Sequence, residues 1–327
     1  MNFPFSLQAE AIFNKTVNGA FVDNPNLDFS NVDTWETFPD GRLRYPAGKA
    51  QIVPGKSVAY LTNTQKGYGV NLMAAVRLSP VKNLDFSASY AYTDTREMTG
   101  FPGNDLYSAF TNMPQVQGPG LPLLQSTQFV IPHKVTAQAS YLIHIGLRIS
   151  ALYTAFSPAG YSYIYTNDVN GDGVGNDLMY IPASDDEILF RADATRSAED
   201  QRAAFWAFVE QDPYLRSHKG QFAEAYAARA PFVHKLDLCL SQDLTFGRHR
   251  VQLSLTVLNV LNLFNKNWGM PQVNSASNGS RILTFMGADA SGRPEYTFYP
   301  GVTKSYEPIY NAEEAWHLQM GLKYFFN

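Results

Sequence analysis

The chain has 327 residues, of which 45% are hydrophobic, 14% aromatic and only 17% charged, with a formal net charge of −4. The charged share lies below the roughly 25% of an average soluble domain, and no stretch approaches the roughly 18–20 continuous apolar residues of a membrane helix. The charge excludes the basic footprint of a nucleic-acid binder, and Cys239, the single cysteine, excludes an intrachain disulfide framework.

Apolar residues that are plentiful but spread thin fit many strands, each apolar on one face. The chain opens on Met1-Asn2-Phe3-Pro4 and enters a strand-like run without a basic leader. If such strands span a membrane, the chain must first be exported, and on that reading the natural N-terminus is expected upstream of Met1.

Period-2 alternation then recurs in pairs of segments joined by tight turns. Val70, Leu72, Ala74, Val76 and Leu78 share one face, and after the turn 80–83 so do Leu84, Phe86, Ala88, Tyr90 and Tyr92. Val135, Ala137, Ala139 and Tyr141 lead through 144–146 to Leu147, Ile149, Ala151 and Tyr153. Leu236, Leu238, Leu240 and Leu244 lead through Gly247-Arg248-His249-Arg250 to Val251, Leu253, Leu255 and Val257. Ser, Thr, Gln, Asp and Lys fill most of the opposite faces, and Cys239 falls there as a small, inert residue.

A soluble sandwich alternates in the same way, but the connections differ. Short turns alternate with long polar stretches near 95–128, 166–230 and 265–313. Short turns at one end and long outer loops at the other mark a transmembrane barrel, and loops that long are uncommon in compact soluble domains. The alternating runs match the roughly 9–11 residues of a tilted membrane strand. Tyr90, Tyr92, Tyr153, Tyr161, Tyr163 and Tyr165 fall towards the loop ends, as an interfacial aromatic girdle does; the strand propensity of Tyr is the competing explanation. The fold class expected is therefore all-β: a partial antiparallel transmembrane β-barrel with long outer loops.

Those loops carry the remaining signals. Ser197-Ala198-Glu199-Asp200 has capping-box spacing, Pro213 restarts the chain and Gln221–Arg229 is Ala-rich, which predicts one or two short helices. Asp168-Val169-Asn170-Gly171-Asp172-Gly173 matches the opening of a calcium loop, in which alternate oxygen-bearing residues surround a Gly turn. Asn176 or Asp177 would complete the shell, but Met179 stands where an EF-hand needs Glu. The expectation is a loop-stabilising calcium or, competing with it, an Asx- and Gly-rich turn that binds nothing; no other cofactor is expected. Asp185-Asp186-Glu187 reads as a solvated loop, and no nucleophile elbow or H-E-x-x-H motif occurs, so no enzyme is expected. Trp206, Tyr214, Phe222, Tyr226 and Trp268 serve either to stack on a ligand or to pack the loops.

The chain closes on a strand with Trp316, Leu318, Met320, Leu322, Tyr324 and Phe326 on one face and His317, Gln319, Gly321 and Lys323 on the other. It resembles the C-terminal signal read by the barrel-assembly machinery, except that Asn327 follows the terminal aromatic Phe326.

Several segments, in order, carry a family resemblance. They are Asn170–Gly173 leading to Asn176-Asp177-Leu178-Met179-Tyr180-Ile181-Pro182, Glu210–Leu215, Ala228–Phe232, Gln242-Asp243, and Leu258–Leu263 running to Asn267-Trp268-Gly269. The set resembles the C-terminal barrel of TonB-dependent receptors of the Oar-like, Bacteroidetes type, whose N-terminus often carries a carboxypeptidase-regulatory-like domain. The resemblance implies a place in the outer membrane of a Gram-negative bacterium and energised uptake of a large substrate. It implies as partners outer-membrane lipid, an upstream plug domain and barrel half, and, through that missing region, the energy-coupling TonB protein. Two other readings stay open: a soluble or surface-attached all-β binding module, for instance for carbohydrate, and a small self-contained outer-membrane barrel or adhesin.

Overall fold

The computed structural model describes residues 4–47, 50–56, 58–98, 102–118, 121, 123–274 and 280–326. Met1–Phe3 and Asn327 lie outside the described residues.

Eight long strands form one antiparallel sheet: β1 (Phe5–Lys15), β2 (Tyr68–Val81), β3 (Leu84–Glu97), β4 (His133–Leu142), β5 (Leu147–Phe156), β6 (Val233–Phe246), β7 (His249–Leu258) and β8 (His317–Phe326). They lie side by side in chain order. The three hairpins expected from alternation are β2–β3, β4–β5 and β6–β7. Their turns use residues that tolerate a left-handed backbone: Asn83 at φ 67°, Gly146 at φ 81° and Gly247 at φ 60°. The third turn is tighter than expected, because His249 and Arg250 already pair with Phe246 and Thr245. Among the described residues β1 pairs only with β2 and β8 only with β7, so the sheet does not close.

Four long connections leave the other end of the sheet, at 16–67, 98–132, 157–232 and 259–316. The first has no counterpart among the long loops expected from the sequence, although Asn18-Gly19, Asp40-Gly41 and Pro54-Gly55 mark turns within it. Together the connections hold the hydrophobic core. Tyr163, Tyr165, Leu178, Met179, Ile181, Phe205, Phe208 and Phe298 are among the buried residues of its main cluster. Of the described buried apolar residues, only Ala155 and Val233 belong to long strands.

Four helices punctuate these connections: α1 (Leu106–Asn112), α2 (Ala198–Gln211), α3 (Pro213–Ser217) and α4 (Val260–Phe264). At α2 the capping box forms as expected: the Asp200 N–H donates to Ser197 Oγ at 3.0 Å, and the Ser197 N–H donates to Asp200 Oδ2 at 3.2 Å. Its apolar face, Phe205, Phe208 and Val209, packs into the loop core. Pro213 opens α3, where its missing N–H costs nothing. The Ala-rich stretch 221–229 is not helical. Gln221–Phe222 pairs with Tyr180–Ile181, and Ala223, Ala225 and Ala228 are buried beneath the core. The chain at 226 approaches Gly160 closely: a Cβ there would lie 1.8 Å from the Tyr226 carbonyl oxygen. No described helix is long and apolar enough to cross a membrane.

Candidate functional site

Two places concentrate unusual physical chemistry: the apolar face of the sheet and the acidic loop after Tyr165.

The register sorts the strands at the sheet centre into an apolar and a mostly polar face, with Met73, Ala75 and Leu152 as apolar members of the second. Ala9, Ala74, Ala88, Ala137, Ala151 and Leu238 lie on one face, with Leu255 and Met320 beside them. The other face carries Ser87, Gln138, Ser150, Thr256 and Gln319 among others. The apolar side chains are not covered: Leu7 is 70% exposed, Met320 76% and Leu322 70%. In water so large a patch would be costly, since monomeric soluble proteins rarely expose more than a few hundred Å² of contiguous apolar surface.

Aromatic and histidine side chains border this face at both ends. At the loop end, Tyr90 Oη lies 2.8 Å from His133 Nδ1 and Tyr153 Oη lies 2.7 Å from His234 Nδ1. Phe232 stacks on His133 and tilts against His234. At the turn end, Tyr324 Oη lies 2.6 Å from His249 Nδ1 and its ring contacts Phe326; Phe5, Tyr141 and Phe246 are exposed there. From His133 to Tyr141 the run is about 26 Å along the strand. At the usual barrel tilt that is about 20 Å of height, close to the roughly 25 Å apolar band of outer-membrane barrels.

Tyr90, Tyr92 and Tyr153 thus stand where a girdle was expected, but Tyr161, Tyr163 and Tyr165 do not. Once β5 ends at Phe156, their alternation points into the loop core, where Tyr163 and Tyr165 are fully buried. The Tyr163 hydroxyl donates to Asp212 Oδ2 at 2.7 Å. The loop aromatics Trp206, Tyr214, Phe222 and Tyr226 pack against the same core, while Trp268 is 52% exposed.

The terminal-strand residues Leu318, Met320, Leu322, Tyr324 and Phe326 pair with Val257, Leu255, Leu253, Val251 and His249. Trp316 precedes the strand; its N–H donates to Asn262 Oδ1. Cys239 sits on the polar face between Ser150 and Thr256, whose hydroxyl donates to its Sγ at 3.3 Å.

The acidic loop brings together Asp168, Asn170, Asp172, Asn176 and Asp177, and all but Asp168 are buried. Asp168 accepts the N–H groups of Gly171 and Gly173 at 2.7 and 2.8 Å. Asp172 Oδ1 accepts the Val174 N–H at 2.8 Å, and Oδ2 accepts Asn170 Nδ2 at 3.2 Å. Asp177 Oδ2 accepts the Val169 N–H at 2.8 Å, and its Oδ1 faces Arg42 Nη1 at 3.0 Å. Nearby, Asn176 Oδ1 and both amide atoms of Gln115 are buried and lack hydrogen-bond partners among the described residues.

Arg42 escapes sequence reasoning because its partner Asp177 lies 135 residues away. Its guanidinium is fully buried and also donates to the carbonyls of Val116 and Leu178. It lies 5.4 Å from the Tyr165 ring centre and 5.0 Å from that of Phe222. Burial pushes Asp177 up to about 6 even though Arg42 favours its charged form. Burial, reinforced by the charges of Asp177 and Asp168, pushes Asp172 up to about 8. The described residues contain no cluster of three or more His, Cys, Asp or Glu arranged to hold a metal ion.

No protein-family model and no curated protein matches the chain. One solved structure that it resembles is the outer membrane transporter YddB from Escherichia coli, at 11% sequence identity and a TM-score of 0.40, over 99% of this chain and 31% of that one.

Proposed function

We propose that this chain is a section of the wall of an outer-membrane β-barrel that serves transport, of the Oar-like TonB-dependent kind its motifs resemble. The observation that carries the reading is the uncovered apolar face between two aromatic borders, on a sheet that has almost no core of its own. Lipid is the medium in which such a face is stable. The outer edges of β1 and β8, unpaired among the described residues, call for further strands on either side, because backbone groups facing hydrocarbon must be satisfied within the protein. The loop body then faces outwards, towards what is taken up. A plug domain and contact with the energy-coupling protein would reside in the remainder of a longer receptor.

Fractionation tests this. Expressed in a Gram-negative host within a barrel that supplies the strands its two edges lack, the chain is expected to resist extraction from outer membranes at alkaline pH. Its eight strands are expected to be protected from protease while the loop body is cut. Recovery as a detergent-free soluble monomer would refute the wall and favour a binding module.

For the acidic loop we propose a proton rather than a calcium ion as the counter-charge of Asp172. The carboxylate oxygens of this loop already accept N–H donors, and Arg42 meets only the charge of Asp177. The sign follows from linkage. The folded pKa of Asp172, about 8, exceeds the ordinary carboxylate value of about 4, so the stabilisation is complete below about pH 4 and is lost as pH rises through about 8. Denaturation of the loop body in chelator is expected to become easier by a few kcal/mol across that window. Millimolar calcium is expected to leave the curve unchanged; stabilisation by calcium at pH 8 would show the cation to be the partner instead.

A further inference from the structure

We infer that the loop body holds a pocket for one cationic group the size of an amino-acid side chain, an ammonium or a guanidinium.

The cavity has a volume of about 170 Å³. That is far more than one water needs and less than the roughly 300–1,000 Å³ of sites that engulf a drug-sized molecule. It therefore suits one protruding group of a larger ligand. Tyr165, Tyr180 and Tyr296 supply its aromatic surface, and Pro182 and Pro294 its stiff walls. Tyr165 and Tyr296 are buried and stack with ring centres 5.3 Å apart, so the surface is set before any ligand arrives.

Charge selects the ligand. Asp40, Asp186 and Glu187 line the cavity, against Arg293 as its only basic lining residue. Arg293 is itself turned to Asp289, its Nε 3.3 Å from Oδ2. Asp40 is partly met from behind by Arg42, whose Nε is 3.9 Å away. Glu187 accepts the Tyr180 hydroxyl at 3.1 Å and the Ala183 N–H at 2.8 Å, which fixes its direction without neutralising it. Asp186 is exposed and has no ion-pair partner among the described residues. The carboxylates attract a cation by direct charge and the Tyr180 ring adds its quadrupole, whereas Tyr165 already has Arg42 and Tyr296 against its ring. An anion is repelled by both, and a neutral sugar gains from neither.

The pocket belongs wholly to the loop body, so it goes beyond the wall reading, and failure of one leaves the other standing. The test uses the full chain in detergent micelles and saturation-transfer NMR. The probes are N-acetyl-lysine amide and N-acetyl-arginine amide, with N-acetyl-norleucine amide and glucose as uncharged controls. The basic probes are expected to bind roughly tenfold more tightly than norleucine, and less tightly in high salt. Asp186→Asn, which breaks no internal contact, is expected to weaken them, and Arg293→Ala, which removes the competing cation, to strengthen them. Near-UV circular dichroism confirms that each variant is folded. Equal binding of norleucine or glucose, no binding of either basic probe by the folded chain, or weaker binding in Arg293→Ala would overturn the proposal.

Discussion

Replacing Arg42 with methionine is expected to destabilise the loop body by about 3–5 kcal/mol, the usual cost of removing one partner of a buried ion pair. The substitution keeps much of the volume between Tyr165 and Phe222 but removes the counter-charge of Asp177 and the donors to the Val116 and Leu178 carbonyls. Three chain segments, around residues 42, 116 and 177, lose their common tie. The double variant Arg42→Met with Asp177→Asn is expected to recover part of the loss, because a neutral amide tolerates burial better than an unpaired carboxylate. Urea denaturation followed by tryptophan fluorescence measures both. Equal stabilities of the single variant and the native chain would mean that the guanidinium is not the tie.

The second large effect concerns the apolar face. Ala137 lies midway between His133 and Tyr141 on β4, with Ala88 and Tyr153 as its cross-strand neighbours. In lipid, arginine at the height of the bilayer midplane costs about 2–4 kcal/mol. Ala137→Arg is therefore expected to cut the amount of folded, membrane-inserted protein severalfold. Gln138→Arg, one residue along, places the same charge on the polar face, which already carries Arg77 and Arg148, and is expected to be tolerated. Heat-modifiable migration on gels reads both. Equal sensitivity of the two positions would remove the sidedness on which the wall reading depends.

The hairpins are legible in the sequence because their information is local. Alternation assigns each side chain to a face, and a residue such as Asn83 or Gly247 marks where the chain must reverse. The start of α2 is legible for the same reason, since Ser197 and Asp200 satisfy each other within one turn. The loop body is not legible, because its contacts join distant positions. Tyr165 stacks on Tyr296, and Phe205 meets Phe298 edge to face. The misreading of 221–229 has the same origin: alanine is a strong helix former, but here tertiary close packing outweighs propensity. For the acidic loop, the sequence names the residues that gather but not Arg42 opposite them.

The placement of the core carries a consequence for how this chain tolerates change. In most proteins loops drift freely while strands are held by packing. Here the long connections contain Phe205, Phe208, Leu215 and Ile282, each less than 2% exposed. Truncating any of these creates a cavity, at about 2–5 kcal/mol each. The centres of the strands, by contrast, present Leu240, Leu253 and Met320 to their surroundings, where one apolar side chain replaces another at little cost. A scan restricted to apolar-for-apolar replacements would therefore draw its most intolerant positions in the segments a topology diagram leaves as thin lines, and its most permissive ones along the arrows.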